Sequence, residues 1–292
     1  MKADRRERGI RLILYLPTLI FLILMSIFPL IFSIYISFFN YTLGQHMDFI
    51  GFGNYGSVLT DSSFWSALRI TLEIAVLAIP IEVFIGILIA FLFNTRGKGV
   101  EVCRMIILIP MMLPPLVIGF FWKYMFDATF GIINYFLGLL SGNPQIISWF
   151  TDVRLALIAI VLVDIWEWTP FVALLAMAGL QAIPPNVRET VRLEKASWWL
   201  RFRTLYLPYL RFPLLVAILI RSIDTLKIFD VVYILTGGGP GEETVTLTMF
   251  AYRVGFNYFY TGKAAALSWI IALISVGLIT ILIRVLSRKS TA

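Results

Sequence analysis

The length of its apolar runs is the strongest constraint on what this chain can fold into. From Leu12 to Phe39 no charged side chain interrupts the sequence. A bilayer's hydrocarbon core is about 30 Å thick and takes roughly 20 apolar residues of helix, so this run is long enough to cross. It is too long for the apolar core of a cleaved signal peptide, and no small-x-small cleavage site follows it. Five further stretches have the same character. The expected spans are 12–38, 70–93, 105–122, 155–181, 212–235 and 264–286. The composition, 60% hydrophobic and 14% charged, is more apolar than a soluble domain needs. The expected fold class is an all-α integral membrane protein with six transmembrane helices.

The basic residues orient these spans. Lys2, Arg5, Arg6, Arg8 and Arg11 precede the first. Arg96, Lys98 and Arg104 join the second to the third. Arg188, Arg192, Lys195, Arg201, Arg203 and Arg211 lie between the fourth and fifth, and Arg284, Arg288 and Lys289 end the chain. The other side holds only Arg69, Lys123, Arg154, Arg253 and Lys263. The positive-inside rule then places both termini in the cytoplasm, with residues 1–11 and 288–292 as short cytoplasmic ends of a single membrane domain at 12–287. The formal charge of +7 comes from this asymmetry and calls for no nucleic-acid partner. One cysteine, Cys103, allows no internal disulfide, and one histidine, His46, argues against a histidine-based metal site.

The connection at 182–211 contains the most charged stretch of the chain, RETVRLEKASWWLRFRTLYLP at 188–208. It is too polar to span and too long for a simple link between antiparallel helices. Apolar residues such as Trp198, Trp199 and Phe202 alternate with basic ones. Two uses fit. The segment could lie on lipid headgroups with its cations on anionic lipid, or it could dock a soluble partner.

The same stretch resembles the cytoplasmic loop of ABC importer permeases, whose pattern is E-A-A-x3-G-x9-I-x-L-P. Glu189 fills the Glu position. Thr190 and Val191 stand at the two alanines, Lys195, followed by Ala196, stands at the glycine, Leu205 stands at the isoleucine, and Leu207 and Pro208 match outright. Further pieces, FIGFGNY at 49–55, DSSFWSALRITL at 61–72, RMIILIPMMLPPLVIGFFWKYMF at 104–126 and FDVVYILTGGGPGEETVTL at 229–247, resemble carbohydrate-uptake permeases of the maltose type. TGGGP before the last span is similar to the first of the two permease subunits in such systems. The resemblance implies a coupling helix between spans four and five that seats in an ATPase subunit. It also implies a second homologous permease, two ATPase subunits, an extracytoplasmic sugar-binding protein, and a prokaryotic inner-membrane location. The chain has no G-x-x-x-x-G-K-[ST] phosphate loop, and TGGGPG lacks the lysine and hydroxyl that hold phosphate and magnesium. The resemblance implies that ATP and magnesium are held by the partner ATPases and that this chain is a transport subunit rather than an enzyme. Lys195 departs from the family glycine. Held left-handed, it would cost roughly 1–2 kcal/mol.

Ionisable residues inside spans mark pathways or packing pairs. In the fourth span Asp164, Glu167, Trp168 and Phe171 are spaced i, i+3, i+4, i+7, which places them on one helix face. In the fifth, Arg221, Asp224, Thr225 and Ile228 repeat the spacing. Counted from the expected span starts, Asp164 and Arg221 lie roughly 14 Å deep and Glu167 and Asp224 about 18 Å. The family resemblance implies that these two helices line the sugar site and that these eight positions face it. Their chemistry suits a polyol. Carboxylates accept hydroxyl hydrogen bonds, Arg221 donates several, and Trp168 and Phe171 offer flat apolar faces. The competing expectation is that Arg221 pairs with Asp164 or Glu167 to satisfy buried charge. Glu82 in the second span is expected to pair with a neighbouring span rather than touch substrate. Pro80, Pro110, Pro114 and Pro115 are expected to kink their helices.

The resulting expectation is a permease subunit of an ATP-driven sugar importer. The alternative is a secondary sugar transporter coupled to ions through Asp164, Glu167 and Asp224.

Overall fold

The computed structural model describes residues 14–95, 97–143, 146–187 and 197–288. Except for one short β ladder, the regular elements among these residues are helical. In chain order they are α1 (Leu14–Ser37), β1 (Phe39–Tyr41), β2 (Met47–Phe49), α2 (Gly53–Leu59), α3 (Ser62–Leu92), α4 (Lys98–Met112), α5 (Pro115–Met125), α6 (Ile132–Ser141), α7 (Val153–Gln181), α8 (Trp198–Leu226), α9 (Asp230–Leu235), α10 (Leu247–Tyr252) and α11 (Thr261–Arg288). Helices α1, α3, α7, α8 and α11 are long and apolar enough to cross a membrane, and the bent pair α4–α5 supplies a sixth crossing if counted as one.

Among the described residues, one compact unit comprises 14–62 and 251–274. Within it the side chains of α1 are exposed along almost the whole helix, as expected of a span whose surroundings are lipid or another subunit. After α1 the chain reverses through the antiparallel ladder, with Phe39 opposite Phe49 and Tyr41 opposite Met47. Asn54 secures this turn by donating to the carbonyls of Ser37 and Phe39 at 2.9 and 2.8 Å. Asp61 and Lys263 form an ion pair at 3.0 Å.

The second unit, again among the described residues, comprises 63–250 and 275–288. At 31 residues α3 extends about 46 Å. It begins earlier than hydropathy suggests, because the polar start from Ser62 to Arg69 still buries Phe64 and Ala67. The Arg104 guanidinium donates to the Phe93 and Thr95 carbonyls just beyond the end of α3, supplying donors that a helix C-terminus lacks. The expected third span is broken. Leu113 and Pro114 are extended, with ψ of 144° and 133°, and the helices on either side meet at 97°. Pro114 has no N–H and disfavours helix in the residue before it, while Pro115 fits the first turn of a new helix. Pro80 and Pro170, by contrast, stay inside continuous helices.

The fifth span also differs from expectation. α8 starts at Trp198, capped by Ser197 Oγ accepting from the Leu200 N–H at 3.3 Å, and passes through a π turn at Phe202–Tyr206. Residues 198–211, read from sequence as part of a loop, are thus the first turns of the spanning helix. The helix stops at Leu226 rather than running to 235. Thr246 Oγ1 donates to the Ile228 carbonyl at 2.9 Å in the break that follows, and the chain then restarts as α9. Hydropathy misses the break because Val231, Val232, Ile234 and Leu235 are as apolar as a span and equally buried.

Small residues set the helix spacing. A Cβ on Gly86 of α3 would lie 2.8 Å from Val172 of α7, and one on Gly119 of α5 would lie 2.8 Å from Ile234 of α9. Backbones at this separation gain the dispersion contacts that hold helices together where lipid is as apolar as the core. Lys123 adds to the second contact by donating to the Ile234 carbonyl at 2.8 Å. Where α7 meets α8, Val172, Ala176, Leu180, Leu210, Leu214 and Ala217 form the main apolar core.

Candidate functional site

The polar residues of α3, α7 and α8 converge on Arg221. Its Nε donates to Glu82 Oε2 at 2.7 Å, and its Nη2 donates both to Glu82 Oε1 at 2.9 Å and to Asp164 Oδ2 at 2.7 Å. All three side chains are buried within this single chain, Arg221 to 1% exposure and Glu82 to none. The Trp168 ring lies over the guanidinium, 4.7 Å from its carbon, and meets Phe171 edge-on at 6.2 Å. Three spans are therefore tied by one cation held between two carboxylates and capped by an aromatic face. Such a cluster is no guarantee of net stability, but deleting one partner strands a buried charge at a cost of about 3–5 kcal/mol.

Of the two pairings expected for Arg221, with Asp164 or with Glu167, the structure shows the one with Asp164. Arg221 does not pair with Glu167. Its second carboxylate is Glu82, whose pairing with a neighbouring span the sequence suggested without naming the partner. Glu167 is buried and, among the described residues, has no hydrogen-bond partner. Thr225 is committed to its own helix, donating to the Arg221 carbonyl at 2.9 Å. Asp224 and Ile228 are half-buried, as are Trp168 and Phe171. At the level of Arg221 the two faces are closed on each other rather than separated by open space. Of the eight positions, Glu167, Trp168, Phe171, Asp224 and Ile228 have side chains that no hydrogen bond among the described residues commits.

The early end of α8 changes the depth reckoning. Arg221 is about 7.5 Å from the end of its helix at Leu226, and Asp164 about 16 Å from the start of α7 at Val153. Hydropathy had set the ends of span five too late, so Arg221 lies closer to one end of α8 than the sequence count gave.

Of the residues expected from sequence to couple to an ATPase, Glu189, Thr190, Val191, Lys195 and Ala196 lie outside the described residues. Leu207 and Pro208 are exposed on α8 directly after its π turn. Pro208 cannot donate to the Thr204 carbonyl, so a helix that continues through it must relax locally.

Residues 82–291 match the family model described as the binding-protein-dependent transport system inner membrane component. The chain belongs to this family. Like other members, this inner membrane component is a multi-pass transport subunit. It is 38% identical over 275 residues to the probable ABC transporter permease protein y4oQ of Sinorhizobium fredii, covering 92% of this chain and 88% of that one. It is 35% identical over 262 residues to the trehalose/maltose transport system permease protein MalF of Thermococcus litoralis, covering 89% and 87%. Its fold matches a chain in the crystal structure of a bacterial alginate ABC transporter in complex with alginate pentasaccharide-bound periplasmic protein. The TM-score is 0.82 at 18% identity, over 100% of this chain and 98% of that one.

Proposed function

We propose that this chain is the permease subunit of an ATP-driven sugar importer and that the sugar passes along the α7–α8 face carrying Glu167, Trp168, Phe171 and Asp224. The observation that carries the sugar assignment is the 35% identity, over nearly the full length, to a trehalose/maltose permease. The site chemistry supports it: a half-buried indole lies over Arg221 with Phe171 beside it, two aromatic rings suited to the apolar side of a sugar ring. Beside it stands Glu167, a buried acceptor without a partner among the described residues. The Glu82–Arg221–Asp164 cluster sits under this face and holds α3, α7 and α8 in register.

In this reading both termini are cytoplasmic, and the connection after α7 together with the first turns of α8 lies on the cytoplasmic side. Glu189, Thr190, Val191, Lys195, Ala196, Leu207 and Pro208 then engage an ATPase subunit. ATP and magnesium are held by two such ATPases, whose closure moves the start of α8. Because α8 runs unbroken from Trp198 to Leu226, a displacement at its first turns reaches Arg221, about 34 Å away. A second homologous permease completes the passage, and an extracytoplasmic binding protein delivers the sugar.

The test is uptake of labelled disaccharide into sealed proteoliposomes holding the full assembly. Accumulation that requires ATP and survives proton and sodium ionophores is the expected result. Uptake abolished by ionophores and indifferent to ATP would replace this reading with ion-coupled transport through Asp164, Glu167 and Asp224.

A further inference from the structure

The charge balance of the α7–α8 face bears on which sugars it can pass, an inference that rests on the sugar-path reading above. Four carboxylates, those of Glu82, Asp164, Glu167 and Asp224, share α3, α7 and α8 with one buried guanidinium. Arg221 spends Nε and Nη2 on Glu82 and Asp164, which leaves only Nη1 without a partner among the described residues. The Nε/Nη2 edge is the planar fork that would grip a carboxylate or sulfonate with two parallel bonds. Here the chain's own Glu82 occupies it. The group is also 1% exposed and lies against Trp168, so a ligand reaching the indole meets the ring rather than the charge.

The other nearby cation offers little. Lys227 follows Asp224 by three residues and its charge acts on that carboxylate, so it is already offset within the chain. It is exposed at the end of α8. Glu167 has the opposite character. It is buried on the face that carries Trp168, and its oxygens have no hydrogen-bond donor among the described residues. A carboxylate is an acceptor with room for several hydroxyl hydrogens. It offers an anionic ligand no cation to pair with, and in its ionised form it repels one strongly because water is excluded.

We propose that this path selects uncharged sugars and disfavours those carrying a carboxylate, phosphate or sulfonate, with Glu167 and Asp224 as the selecting residues. The solved transporter that shares this fold has an acidic polysaccharide, alginate, bound to its periplasmic protein. At 18% identity the likeness extends to the fold alone.

The test compares two matched probes on the assembled permease–ATPase complex in nanodiscs without binding protein. They are maltose and the disaccharide in which its terminal glucose is replaced by glucuronic acid. Saturation-transfer NMR reads weak binding of each, with Trp168→Ala as the control for signal from this site. The expected result is that maltose binds at least tenfold more tightly and that Glu167→Gln/Asp224→Asn narrows the gap to threefold or less. Equal or tighter binding of the glucuronide overturns the proposal, as does a gap unchanged in the double variant. Trp168-independent signals from both probes would sink the sugar-path reading itself, and this inference with it.

Discussion

Replacing Glu82 with glutamine removes one charge from a cluster that holds three spans together. In the native protein the two Glu82 oxygens accept from Arg221 Nε and Nη2 at 2.7 and 2.9 Å, and neither side chain reaches solvent. Glutamine keeps the shape but replaces one acceptor with an NH2 group, which then faces an arginine N–H. One hydrogen bond to a charged group is lost, worth about 1.5–3 kcal/mol, and a buried donor is left facing a donor. Asp164 still balances Arg221, so the full cost of about 3–5 kcal/mol for an unpaired buried charge is not reached. The expected loss of stability is therefore about 2–3 kcal/mol. Arg221→Met alone strands two carboxylates and should cost more. The double variant Glu82→Gln/Arg221→Met removes the mismatch and should recover part of the loss, giving a favourable coupling of about 1–3 kcal/mol in a double-mutant cycle. Denaturant or thermal unfolding of the assembled complex, with complex yield alongside, measures all three variants. Wild-type stability in Glu82→Gln, or strict additivity of the two substitutions, would refute the view that this cluster clamps α3 to α8.

Other substitutions probe separate parts of the account. Glu189→Ala and Glu189→Lys should leave the protein inserted while weakening ATPase recruitment or uncoupling hydrolysis from transport; normal recruitment and transport would leave the segment as a lipid-surface element. Lys195→Gly should be neutral or stabilise the complex by up to about 1 kcal/mol if a left-handed turn is kept there, and a loss of similar size on thermal unfolding would indicate continuous helix instead. Gly119→Val should push α5 from α9, because the added Cβ alone would sit 2.8 Å from Ile234; a cost of about 1–3 kcal/mol is expected, read as lower complex yield. Asp127, in the connection after α5, accepts from the Thr129 and Phe130 N–H groups at 2.8 Å, which holds its carboxyl below the ordinary range. Its folded value is depressed, so its contribution is present above the unfolded value near ~3.9 and is lost as pH falls through the folded value. Hydrogen exchange at those two amides should stay slow somewhat below that pH in the native protein and be fast throughout in Asp127→Ala.

What the sequence made legible follows from which forces are local. Six apolar stretches announce themselves, because a span must satisfy its backbone internally and face lipid whatever its neighbours do. Span ends are different. Ser62 to Arg69 continue α3, and Trp198 to Arg211 continue into α8, in both cases with polar residues that hydropathy counts as loop. The stop at Leu226 is invisible to composition, since Val231 to Leu235 are as apolar as the helix before them. Pro114 and Pro115 did mark the bend in the third crossing, although not its size. At the site, helical spacing was enough to put Asp164 with Trp168 and Arg221 with Asp224. The partner of Arg221 on α3 was not readable, because the rotation of α3 depends on Gly86 seating against Val172, a tertiary contact. Glu82 showed only the general sign of a buried charge, that it must have a partner.

The claim that the α7–α8 face carries the sugar is tested most directly by measuring transport and complex yield in one preparation for Trp168→Ala and Glu167→Gln. Truncating Trp168 removes ring stacking worth on the order of 1 kcal/mol and the cover over Arg221. Neutralising Glu167 alters an acceptor with no protein donor among the described residues, so the loss should fall on the ligand rather than on the fold. Uptake should drop tenfold or more in both variants, with yield and basal ATP hydrolysis close to wild type. Full uptake in both would contradict the account, and a fall in yield parallel to the fall in uptake would make these side chains packing partners rather than a sugar path.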